Sequence, residues 1–88
     1  MKIKDNYKVR NVAGENLVIR QGTGHSDMTR ILSLNSTALF LWEKLSGRVF
    51  SAEEASELLV GEYGIEKEQA LSDVREWIRK MVSAGVME

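Results

Sequence analysis

The stretch "RILSLNSTALFLWEKLSG", residues 30 to 47, runs an apolar strand pattern straight into an apolar helix pattern, with only Asn35, Ser36 and Thr37 between them. A strand joined to a helix this abruptly is held at one end. At its other end lies the polar, glycine-rich loop "QGTGHSD", residues 21 to 27. What such a strand leaves exposed along its edge is the question that organises everything else in the chain.

The flanking patterns place this junction within a fold. "YKVRNV", residues 7 to 12, mixes β-branched and aromatic residues with charges and reads as a strand with one wet face. "AGEN" follows as a turn, with Gly14 suited to positive φ, and "LVIR", residues 17 to 20, returns as the second strand of a hairpin. "MTRILSL" has period two, with Met28, Arg30, Leu32 and Leu34 on one face and Thr29, Ile31 and Ser33 on the other. It predicts a third strand at about 29–34.

Asn35 stands where a helix N-cap belongs, ahead of Ala38, Leu41, Trp42 and Leu45 at helical spacing, and Gly47 ends the run. Leu39 and Phe40 widen that stripe. Ser51 with Glu54 forms a capping box for a second helix, over about 52–63, with Ala55, Leu58, Leu59 and Tyr63 on its buried side and Gly64 closing it. A third helix at about 66–84 carries Ala70, Val74, Trp77, Ile78 and Met81 on one face, and Gly85 turns Val86 back on its end. The first helix spans about 36–46. Strands followed by helices predict an α+β fold, a three-stranded antiparallel N-terminal sheet and then a three-helix bundle. With 88 residues the chain fits one domain, 1–88, and not two.

Chemistry is sparse. The chain has no cysteine and one histidine, so it cannot supply a thiolate metal site or a closed structural zinc centre. His25 in "GTGHSD" reads as a solvated loop residue, because no second ligand or base accompanies it. The "GTG" is followed by a strand and not by a helix N-terminus, which removes the phosphate-loop reading. Glu53, Glu54, Glu57, Glu62, Glu66, Glu68, Asp73 and Glu76 are spaced as exposed helix faces and first turns. Ser36 and Ser51 have capping roles and no base nearby, and Trp42 and Trp77 sit on core faces. These readings predict a chain that is not an enzyme and needs no cofactor. No apolar run approaches the roughly 18 residues of a membrane span and no signal-peptide core opens the chain, so a cytoplasmic protein is expected.

Geometry remains. If the third strand ends the sheet, its outer row of N–H and C=O groups is open to an incoming extended segment. The third helix bears a second stripe, Leu71, Arg75, Ile78 and Val82 with Arg79 beside it. Bordering the open edge, that stripe makes a groove with an apolar floor and a basic wall; otherwise it widens the core contact.

"LNSTALFLWEKLSG" followed by "SAEEASELLVGEYGIEKEQALSDVREWIRKMVSAGVM" resembles the PqqD family, that of pyrroloquinoline quinone biosynthesis protein D. The residues that carry the likeness are Leu34, Asn35, Thr37, Trp42, Tyr63, Gly64, Asp73, Val74, Trp77 and Gly85, over about residues 29 to 88. The resemblance implies a small domain of winged-helix-like shape, and a recognition element, or chaperone, for ribosomally made peptides that are later modified. It implies that the leader of a precursor peptide adds to the third strand and lies against the third helix. The partner enzyme that receives it is often a radical S-adenosylmethionine protein. The implied peptide-binding residues are Thr29, Arg30, Ile31, Leu32 and Ser33 with Leu71, Arg75, Ile78, Arg79 and Val82.

Two other readings stand beside this one. A winged-helix DNA-binding protein would use Arg75, Arg79 and Lys80 on the third helix, against Glu66, Glu68, Asp73 and Glu76 of the same segment. Net charge is −1, with about +3 in residues 1 to 22 and about −4 in the rest, a poor match to duplex phosphates. Self-association is the third reading, by which an open edge pairs with a second copy or swaps the hairpin, in place of a monomer.

Overall fold

The computed structural model of the chain describes residues 1–20 and 30–87, Arg30 and Ile31 by their main chain alone. His25, the "GTG" of residues 22–24, Met28 and Thr29 lie outside the described residues. Three strands, β1 (Tyr7–Val12), β2 (Glu15–Arg20) and β3 (Arg30–Leu34), precede three helices, α1 (Ser36–Leu45), α2 (Ala52–Tyr63) and α3 (Lys67–Ser83). The sheet is antiparallel in the order β1-β2-β3. This is the α+β arrangement expected.

The hairpin is tighter than the turn "AGEN" implies. Val12 pairs with Glu15, so the turn is Ala13–Gly14 alone and β2 begins two residues early. Both turn residues have positive φ, 53° at Ala13 and 85° at Gly14. That double left-handed geometry gives a two-residue turn the twist of its strands, and alanine is an unusual occupant of the first place.

β2 buries three residues in succession, Leu17, Val18 and Ile19. Val18 belongs to the core under the helices. Leu17 and Ile19 stand on the opposite face, in register with Arg10 and Lys8 of β1. The β2–β3 register then shifts: Val18 pairs with Leu32 and Ile19 with Arg30, which leaves Ile31 as the extra residue of a bulge. Strict period two along the third strand is therefore broken at Ile31.

Each helix is placed by its caps and its apolar stripe. Asn35 Oδ1 accepts from the Ala38 N–H at 2.8 Å, which fixes the start of α1 one residue after β3 ends. Ser51 Oγ accepts from the Glu54 N–H and Glu54 Oε1 accepts from the Ser51 N–H, both at 3.2 Å, completing the capping box. Glu66 makes no side-chain cap bond, so α3 starts without one. Leu41, Trp42, Leu45, Ala55, Leu59, Ala70, Val74, Trp77 and Met81 join Val18 and Leu34 in one buried cluster. On α2 the buried side differs from expectation in two places. Ser56 is buried, its Oγ donating to the Glu53 carbonyl at 2.7 Å, and Tyr63 is exposed, edge-on to Phe40 with ring centres 5.7 Å apart.

Residues ahead of the hairpin lace the helical half together. Ile3 is buried and bridges Met87, the Lys4 N–H donates to the Val86 carbonyl at 2.9 Å, and the Phe50 N–H donates to the Met1 carbonyl at 2.8 Å. Val86 is fully buried, folded back as Gly85 predicts, with its N–H donating to the Met81 carbonyl.

Candidate functional site

β3 pairs with β2 on one side, and on the other it meets no strand among the described residues. In an antiparallel ladder alternate residues turn their N–H and C=O groups outward, so five residues leave two or three pairs of unused groups along that edge. The junction with α1 fixes the strand's position. Asn35 caps the helix immediately, and Asn16 Nδ2 reaches the Leu34 carbonyl at 3.4 Å from the β2 side.

Beside this edge lies a groove of about 340 Å³. One bank is the end of β3 and the first turn of α1: Leu32, Ser33, Leu34, Asn35, Thr37 and Ala38. The opposite bank is α3, through Asp73, Glu76, Trp77 and Lys80, and Leu41 and Leu59 also line the space. The four α3 residues share one face because their spacings are three and four. Polar groups on that bank are turned to each other. Lys80 Nζ lies 3.6 Å from Glu76 Oε1, and Asp73 Oδ1 accepts from Gln69 Nε2 at 2.9 Å. The floor is apolar, and the α3 rim carries two acids and one base.

The expected site residues are distributed unevenly around this groove. Leu32 and Ser33 line it, and Arg30 and Ile31 lie on the same strand. Thr29 lies outside the described residues. Leu71, Arg75, Ile78, Arg79 and Val82 do not line it. Helical spacing sets Leu71, Arg75 and Val82 roughly opposite Asp73, Glu76 and Lys80, while Ile78 packs against the core and Val82 is half exposed. Arg75 and Arg79 share a shallow concavity with Ser72 and Glu76 instead. The wall facing β3 is thus mixed and slightly acidic, not basic. Trp77, read from the sequence as core alone, is both core and groove floor. Asp73 and Glu76 were legible as exposed acids and Lys80 as a base beside Arg75 and Arg79, but nothing in the sequence grouped the three or said which neighbour they meet.

A small three-stranded sheet whose outer β3 edge meets no strand among the described residues, backed by three helices and flanked by a groove, is an architecture that edge-binding domains use. The family model described as Coenzyme PQQ synthesis protein D (PqqD) matches residues 21–87, and the chain belongs to that family. Among solved structures it is similar to TbiB1 in complex with the TbiA(beta) leader peptide, with a TM-score of 0.74 and 22% identity over 100% of this chain and 95% of that one. At that identity the likeness is one of fold. No curated protein matches. Among the described residues no helix is long and apolar enough to cross a membrane.

Proposed function

We propose that this chain is a non-catalytic peptide-binding module: it captures the leader of a ribosomally made precursor by strand addition and presents it to a modifying enzyme, of the radical S-adenosylmethionine class. The observation that carries the reading is the outer edge of β3, which meets no strand among the described residues, beside a groove of mixed lining that includes Leu32 and Trp77. Family membership and the likeness to a protein solved with a leader peptide support it.

The physical case is direct. A guest segment extending the sheet past β3 gains main-chain hydrogen bonds that set its register, while every second side chain turns toward the groove. Leu32, Leu41, Leu59 and Trp77 receive apolar side chains there, and the rim of Asp73, Glu76 and Lys80 borders them. Because the edge is short, affinity comes from both parts together. Micromolar binding or better, about −8 kcal/mol, is the expected range.

Titration of the isotope-labelled chain with the leader of a precursor encoded beside its gene tests the proposal. Amide shifts are expected along Arg30–Leu34 and at Asp73, Glu76, Trp77 and Lys80. Shifts confined to Leu71, Arg75, Arg79 and Val82 would move the guest to the far face of α3. Shifts away from both β3 and α3 would overturn the reading.

A further inference from the structure

Trp77, one of the residues that line the groove, carries a buried polar atom without a partner among the described residues. Trp77 is 7% exposed, and its Nε1–H is buried with no hydrogen-bond partner among the described residues. Buried indole N–H groups ordinarily find an acceptor, because an unpaired one forfeits the bond it had with water. Ser56, also buried among the described residues, follows the rule by bonding to its own helix. The groove that Trp77 lines includes Leu32, Leu41 and Leu59 with the polar Ser33, Asn35 and Thr37, none of which bonds to the indole, while Phe50 lies against the ring with centres 6.1 Å apart. The nearby carboxylates of Asp73 and Glu76 are engaged by Gln69 and Lys80.

We infer that Trp77 Nε1–H is a recognition donor, left unpaired so that an oxygen acceptor of the bound peptide can complete it. This rests on the strand-addition reading and deepens it. It adds a polar requirement to a floor that otherwise selects only for apolar bulk. The guest supplies one carbonyl or carboxylate oxygen among its apolar side chains, and a guest without it leaves the donor unpaired. Because the nitrogen is covered in the unbound chain, docking must turn the indole or part the wall. The indole proton therefore reports the event directly.

The probe is a synthetic peptide selected from a phage-displayed random library on the full chain. The indole N–H signals of Trp42 and Trp77 are assigned with Trp77→Phe. On adding the peptide, the Trp77 indole proton is expected to move downfield and become protected from exchange, while the β3 amides shift with it. A chemically synthesised chain with 3-benzothienylalanine at position 77 keeps the ring shape and lacks the N–H. It should bind the peptide about tenfold more weakly and unfold at the same temperature or higher. A merely structural tryptophan would lower both. Alanine replacement in the peptide identifies a side-chain acceptor, and amide-to-ester replacement identifies a main-chain one. Unchanged affinity of the isostere, or a still indole signal while β3 amides move, overturns the inference and leaves the peptide reading standing. Failure of every selected peptide to shift β3 overturns that reading itself.

Discussion

Two positions carry avoidable cost, and both can be tested by substitution. Ala13 holds φ at 53°, a region where an L-residue other than glycine or asparagine pays about 1–2 kcal/mol. Ala13 is exposed and Val12 and Glu15 close the ladder around it, so a change there touches little else. Ala13→Asn should raise stability by about 0.5–1 kcal/mol, read as an upward shift in Tm. Glu66 sits at the N-cap of α3 in an extended conformation, φ −67° and ψ 148°, and makes no cap bond. Glu66→Ser should add about 1 kcal/mol by giving the first turn an acceptor; no gain in urea denaturation would show that the end is satisfied otherwise. The caps at Asn35 and Ser51 were legible because their chemistry is local, a side chain and an N–H three residues on. Ala13 was not, since only the strand register reveals that a two-residue turn needs it left-handed. Trp77 was legible as apolar and buried, but an unpaired donor is a property of its surroundings.

β3 and α3 show where periodicity stops informing. Alternation marked residues 29–34 as a strand and the vacant edge followed from its place last in the hairpin order. The bulge at Ile31 did not follow, because it is fixed by how Val18 and Ile19 pair across the ladder. Likewise, a period of 3.6 says that Asp73, Glu76, Trp77 and Lys80 share a face and that Leu71, Arg75 and Val82 share another. It does not say which face meets β3, since that is decided by how α3 crosses the sheet. The bulge bears on the proposed function. An edge of five residues interrupted by an extra one twists away from long, flat pairing, which disfavours sheet-to-sheet association while still admitting a short guest. It also offers a mutation that separates binding from folding. Ile31 has no cross-strand partner, so proline there removes a donor with little damage to the β2–β3 ladder. Ile31→Pro should leave the circular dichroism spectrum intact and weaken peptide binding tenfold or more by calorimetry. Undiminished affinity in a folded variant would place the guest elsewhere.

The groove depends on residues far from it in the chain, and the most exposed link is the N-terminal strap. Ile3 is buried against the C-terminal tail, bridging Met87, while Lys4 and Met1 bond to Val86 and Phe50. Phe50 in turn lies against Trp77, the groove floor. Thus the segment before the hairpin, the α1–α2 connection and the tail after α3 are closed on one another. Nothing in "MKIKDN" announced this, since one isoleucine among charges has no period and its partner lies more than eighty residues on. A chain of this size buries only about 60% of its unfolded surface, so losing one buried side chain is a large fraction of its net stability. Ile3→Ala should cost about 2–4 kcal/mol in urea denaturation. Lys8→Ala, on the exposed edge strand β1, should stay within about 0.5 kcal/mol. The strap makes a second claim: with Phe50 less firmly held, the Trp77 indole should exchange its proton faster in Ile3→Ala than in the parent, at temperatures where both are folded. If Ile3→Ala unfolds as readily as the parent and the indole exchanges no faster, the strap is an ornament on the helical core and the groove is held by the helices alone.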